Sequence, residues 1–250
     1  MRIPSAVLLA LLAAARAGAQ APPPEPPPLW DVQIGAAFVG TSGNSETTSL
    51  GADFAMHRRW TLWQVESTAA AVRTSDHDEV KAERYVGAIR GQRALSPIAA
   101  FSAGEKLERD RFAGIDVRSI ADAGVNWKLV RAPRWTVDAI TAIGWNHESR
   151  IVGGEIDDGI GLLQILSRVP FGTTGDTTQR FTAYPDFTHA ESYRHEAEVT
   201  AQAALNNRLA LKLGYLLRYS HAPVAGFKTT DMTTTASVVV RWRAAPPPAP

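Results

Sequence analysis

The 250-residue sequence has no cysteine. That absence removes disulfides, thiolate nucleophiles and zinc–thiolate sites together. Beyond the N-terminal stretch no run of about 18 uncharged apolar residues occurs, which excludes a transmembrane helix. No basic patch is interleaved with aromatics, and 26 Lys and Arg stand against 25 Asp and Glu, so nothing indicates a nucleic-acid partner. A convincing 3.6-residue periodicity is also missing. With 45% apolar residues, the chain is too apolar to be disordered outside its ends.

The N-terminus supplies the first positive signal. Met1-Arg2, the apolar stretch Ile3 to Ala15 and the small-x-small site Ala17-Gly18-Ala19 predict a secretory signal peptide over residues 1–19. The apolar stretch is too short to serve as an anchor helix. Removal of Arg2 and Arg16 with that segment takes the formal charge from +1 to −1. Proline-rich tails at 20–30 and 243–250 cannot join a sheet ladder and read as spacers around a single domain at 31–242.

Within that domain the apolar residues recur at every second position. Twelve strand-like stretches are expected, near 31–42, 46–57, 60–73, 83–93, 98–109, 116–129, 134–147, 157–168, 178–188, 192–205, 209–220 and 231–242. In the seventh, Trp135, Val137, Ala139, Thr141, Ile143 and Trp145 share one face. Ten residues at about 3.3 Å each, tilted about 40°, span roughly 25 Å, the height of an outer-membrane barrel's apolar band. An aromatic girdle of Trp127, Trp135, Trp145, Tyr215, Tyr219 and Trp242, with Trp63 and Tyr85, would ring that band.

The opposite faces carry charges mid-strand. Arg90, Asp122, Asp138, Glu196, Glu198, Lys212 and Arg218, with Glu66, suit a wet or salt-bridged lumen better than a dry core. Glu196 and Glu198 are expected beside Lys212 and Arg218, because antiparallel neighbours on one face can pair across strands. A plug of ion pairs is favoured over an open pore, since about twelve strands leave a limited interior once long side chains point inward. The connections alternate in length. Arg58-Arg59, Ala94 to Pro97, Val130 to Pro133 and Asn206 to Arg208 read as tight turns. Thr74 to Ala82, Asp110 to Ile115, Glu148 to Ile156 and His221 to Thr230 read as longer loops. Short turns on one side, long loops on the other and an even strand count describe an all-β, antiparallel, up-and-down transmembrane β-barrel.

The segments Gly40-Thr-Ser-Gly43-Asn44-Ser-Glu-Thr47-Thr48, Tyr184-Pro185-Asp-Phe-Thr188, Tyr193-Arg194, Leu209 to Tyr219, Pro223 and Lys228 to Thr235 form a set of signatures at the two ends of the domain. Together they resemble the YdiY-like salt-induced outer membrane proteins, the domain of unknown function 481. The resemblance spans roughly residues 31–242. It implies an outer-membrane barrel of undefined biochemical activity, surrounded by lipid, and supplies no catalytic residue and no cofactor. It also implies that Val238, Val240 and Trp242 are read by the barrel-assembly machinery, although here Arg243 to Pro250 follow that alternation.

The remaining chemistry is thin. His147 and His195 are the loop-proximal histidines on which an outer-membrane hydrolase would have to depend, and it would need a Ser or Asp beside one of them in space. Gly153 to Asp158, and Asp76, Asp78 and Glu79, are acidic loops whose spacing does not match a calcium loop. The expectation is a structural or stress-related outer-membrane protein rather than an enzyme, with a narrow pore for small solutes or ions as its variant. An outer-membrane hydrolase and a soluble exported ligand-binding barrel are the alternatives.

Overall fold

The structure, a computed structural model, describes residues 29–43, 47–76 and 79–244. The expected signal peptide, residues 20–28 of the first tail and residues 245–250 lie outside them. The strands are β1 (Trp30–Ser42), β2 (Thr47–Arg59), β3 (Trp63–Asp76), β4 (Glu79–Ala94), β5 (Ala99–Asp110) and β6 (Ile115–Ala132). They continue as β7 (Trp135–Arg150), β8 (Glu155–Phe171), β9 (Gly175–Tyr184), β10 (Arg194–Ala204), β11 (Leu209–Ser220) and β12 (Thr230–Ala244). Each pairs antiparallel with its sequence neighbours, and β12 pairs with β1 from Trp30 opposite Ala244 to Ser42 opposite Met232. Among the described residues this makes a closed twelve-stranded up-and-down barrel, with one 3-10 turn at Arg111–Ala113. Closure satisfies every strand edge, the condition a sheet must meet in hydrocarbon.

The alternation in sequence becomes two faces. Leu50, Ile143 and Leu213 point outward and are 78%, 71% and 60% exposed. Val239, Ser102 and Asp110 point inward and are fully buried. A soluble ligand-binding barrel would place its apolar face inside and its polar face outside, so the opposite distribution rules that alternative out.

Seven of the twelve strands are longer than expected and β9 and β10 are shorter, and several boundaries move. The connection expected over Thr74 to Ala82 is mostly strand, as β3 runs to Asp76 and β4 begins at Glu79. The tight connection between β8 and β9 is residues 172–174, where Gly172 takes φ +56°, so Pro170 belongs to β8. The stretch expected as strand 178–188 stops at Tyr184. Pro185 has no N–H to donate to a ladder, and the chain folds back along β8 through Gly161 N–H to Pro185 O and Phe187 N–H to Gly159 O, both 2.8 Å. Residues 185–193 and 221–229 are thus the long loops, both at the rim away from the chain termini. Arg243 and Ala244, expected in the C-terminal tail, extend β12.

Ala139 was expected at mid-height facing lipid, and it is outward but only 8% exposed, because it lies between Trp127 and Ile165 in register. Ile143 is the cleaner probe of the lipid face. Ile143→Arg is expected to destabilise the inserted barrel by about 2–4 kcal/mol, as cationic side chains do near the bilayer midplane. Equilibrium unfolding in lipid vesicles measures it, and an unchanged midpoint would contradict the outward placement.

Candidate functional site

The lumen is the site, and β5 is its spine. Lys106, Glu108 and Asp110 alternate with outward Leu107 and Arg109, so period two alone sends three charges inward side by side. Glu108 is 3% exposed and accepts hydrogen bonds from Arg84 (3.1 Å, β4), Arg118 (3.4 Å, β6) and Arg218 (3.2 Å, β11), with the Lys106 ammonium at 3.9 Å. Asp110 accepts from Arg84 at 3.2 Å and from Arg218. Glu148 on β7 gathers Arg118 (2.7 Å), Arg150 (2.6 Å) and, from β10, Arg194 (3.2 Å), whose other nitrogen donates to Asn146 at 3.1 Å. Lys106 completes the group by donating to Glu196 at 2.7 Å.

Several of these bonds cross the lumen. β5 and β11 stand on opposite sides of the twelve-stranded ring, and β2 and β11 are three strands apart, with β1 and β12 between them. Lys212 reaches Asp53 on β2 at 2.6 Å. Ser237 donates to the same carboxylate at 3.0 Å. Gln202 on β10 donates to Gln33 on β1 at 3.3 Å. Glycine makes room for two of the pairs: a Cβ on Gly35 would sit 2.5 Å from the Asp53 carboxylate, and one on Gly104 would sit 2.7 Å from the Arg90 guanidinium. Arg90 forms a two-pronged pair with Asp122 at 2.8 and 2.6 Å and also donates to Ser102 at 3.0 Å.

The expected lumen residues therefore all point inward, but their partners differ from the cross-strand expectation. Glu196 stands opposite Arg218 in register, yet Arg218 reaches past it to β5 and Lys106 takes Glu196. Glu198 binds Arg180 on β9 at 3.0 Å, and Lys212 binds Asp53 rather than either glutamate. Glu66 lies 4.0 Å from Arg180. Asp138 sits at the rim of the chain termini, held by Arg131 at 2.5 Å, apart from the central network. Glu198–Arg180 and Arg118–Glu148 are direct register pairs, whereas Lys106–Glu196 and Lys212–Asp53 reach across the bore, a distance that register within one hairpin does not encode.

The lumen is also drier than expected. Ile120, Ile140, Ile160 and Leu162 point inward and pack with Tyr184 on the β6–β9 wall. The Tyr184 ring lies under the Arg194 guanidinium at 5.4 Å and the Lys106 ammonium at 5.9 Å. At the loop rim, Phe112 and Val224 are only 7% and 3% exposed, and the Phe227 ring fills the space a Cβ on Gly114 would need. A cavity of about 60 Å³ remains there, room for a few water molecules.

The outer face carries the aromatics. Trp135, Trp127 and Trp242 lie toward the rim of the termini and Trp145 and Tyr219 toward the loop rim, whereas Tyr215 sits further inside the band. Three indoles find polar partners: Trp127 donates to Thr141 and Trp135 to Ser167 at 3.0 Å, and Trp145 to Asp157 at 3.2 Å. Val238, Val240 and Trp242 share the outer face of β12. His195 is also outward, stacked on Phe181 at 5.8 Å and on Tyr219 at 6.2 Å, and its Nδ1 is buried with no hydrogen-bond partner. His147 binds Asp157 at 2.9 Å and stands opposite Ser119 in register, but the Ser119 hydroxyl donates to Glu105 at 2.6 Å. Neither histidine faces the lumen.

Sequence reasoning missed Glu108, Asp110, Glu148, Lys106 and Arg84. Period two within their strands was a usable signal for direction, though not for which cations they meet. Removal of the Glu108 charge leaves Arg84, Arg118 and Arg218 short of a buried partner. Glu108→Gln is expected to cost about 3–5 kcal/mol, the range for breaking a buried ion pair. Denaturant unfolding tests this, with Glu105→Gln on the outer face as the control expected to cost less.

Residues 34–242 match the family model described as "Protein of unknown function, DUF481". No curated protein matches the sequence. Two solved structures are similar in fold. One, titled "NanC porin structure in rhombohedral crystal form", has TM-score 0.57 and 9% identity, covering 83% of this chain and 98% of that one. The other, titled "Bacterial polysaccharide outer membrane secretin", has TM-score 0.50 and 8% identity, covering 86% of this chain and 99% of that one. At such identities the likeness is one of fold, and the fold is that of bacterial outer-membrane barrels.

Proposed function

Because the chain belongs to the DUF481 family, described as proteins of unknown function, its role must come from its own lumen, and we propose an outer-membrane barrel whose passage is held shut by ion pairs. It serves as a structural or stress-related envelope protein, with small ions as the only solutes its narrow bore would admit. The observation that carries this reading is Glu108: one buried carboxylate joined to guanidinium groups from three other strands, including β11 across the ring. A water-filled conduit would leave such charges solvated, whereas here they bridge wall to wall.

The finer assignments rest on sequence. The signal segment 1–19 supports export, and the two long loops, 185–193 and 221–229, support placing that rim outside the cell and both termini in the periplasm. Val238, Val240 and Trp242 on the last strand support recognition by the barrel-assembly machinery, and the segments around Tyr184-Pro185 and Lys228 to Thr235 support the YdiY-like, salt-induced naming. Lipid is the expected partner of the outward belt.

Planar-bilayer recording of the refolded mature chain tests the closed passage. Wild-type barrels are expected to be silent or to give rare, small steps, and a Glu108→Ala, Asp110→Ala double variant is expected to raise the step frequency. Large, steady ion-selective steps from the wild type would reject the closed reading in favour of an open pore.

A further inference from the structure

Six carboxylates of the described residues are less than a tenth exposed: Glu108, Asp110, Asp122, Glu148, Asp158 and Asp186. The first four are each held by at least one arginine. Asp158 and Asp186 are not. Asp158, near the start of β8, is 4% exposed and meets the His189 Nδ1 at 2.8 Å. Asp186, 8% exposed, accepts the backbone N–H groups of Thr188 and His189 at 2.8 and 2.7 Å, with no Lys or Arg on it. The ligand atoms of the two aspartates and His189 lie within 4.8 Å of one another. Two buried carboxylates so close to each other, with no Lys or Arg on either and only His189 beside them, need a proton, on a carboxyl or on His189, or a metal cation between them.

Donor geometry favours a cation. The chain after Pro185 is strapped to β8 by Phe187 N–H to Gly159 O at 2.8 Å and by Gly159 N–H to the Thr188 hydroxyl at 3.0 Å. This brings Asp186 beside Asp158 and sets His189 at the solvent side, with 62% of its side chain exposed, so that an ion could arrive from outside the loop rim. Two carboxylate oxygens and one imidazole nitrogen suit Zn²⁺ or Mn²⁺, with open positions for water. Ca²⁺ and Mg²⁺ prefer all-oxygen shells. The geometry points to a divalent transition-metal site formed by Asp158, Asp186 and His189, which clamps the 185–193 loop onto the barrel wall. This site is independent of whether the lumen conducts.

The test uses the full mature barrel refolded in detergent micelles, stripped with a chelator and titrated with ZnCl₂ by calorimetry. One Zn²⁺ per barrel is expected to bind, with Asp158→Asn and His189→Ala weakening it by about 100-fold, the upper end of the loss typical of supporting residues around a metal. His147→Ala, which disrupts only the outward pair with Asp157, is expected to bind as the wild type does. Zinc is also expected to slow proteolysis of the 185–193 loop in the wild type and not in His189→Ala. His189 is exposed, so that variant keeps the test open if Asp158→Asn fails to fold, which heat-modifiable gel mobility reports. Equal zinc affinity in wild type and His189→Ala, or loop cleavage indifferent to zinc, would overturn the site and leave a shared proton between the aspartates.

Discussion

A carboxylate without water must have cations, and Glu108 shows how the barrel meets that requirement. Its arginines come from β4, β6 and β11, so the same contacts that neutralise one charge also tie distant walls of the cylinder together. The strands themselves are joined only to their neighbours. The ion pairs add the transverse constraint, and Gly35 and Gly104 are small because the pairs need the volume. A closed sheet therefore has two independent supports: backbone ladders around the ring, and charged side chains across it.

The two supports have different sensitivities. Backbone pairing is enforced by the bilayer, where an unpaired N–H costs several kcal/mol, so strand number and closure tolerate much change in side chains. The charged interior is different. Desolvation makes each member dependent on the others, and the apolar wall of Ile120, Ile140, Ile160 and Leu162 deepens that dependence by keeping water out. The same ion pairs that span the bore make the barrel sensitive to loss of single charges.

The fold was legible to a high degree because period two runs through most of each strand, interrupted only by register shifts such as Ile115/Val117 and Lys128/Val130 in β6. The Trp135 to Trp145 segment announces both its face and its span, and its outward residues are where the alternation places them. Boundaries were less legible. Pro185 carried the signal that β9 must stop, yet the alternation before it runs on smoothly, and only the return of the chain along β8 shows where the strand yields to a loop. The site divides in the same way. That Glu196, Glu198, Lys212 and Arg218 point inward follows from parity. That Lys106 takes Glu196 and Asp53 takes Lys212 does not, since those partners are far apart in sequence and lie on strands that are not ladder neighbours.

By itself the sequence determined the class of structure: apolar and polar residues in strict alternation, no segment suited to a membrane helix, and aromatics spaced to a bilayer's apolar band. These are local properties, read one strand at a time. Tertiary structure decided which charges meet, because inward side chains select partners by distance across a closed bore and not by separation along the chain. It also brought Asp158 to Asp186 and His189. A loop folding back along its own barrel wall is a consequence of closure and packing, and no pattern within either segment specifies it.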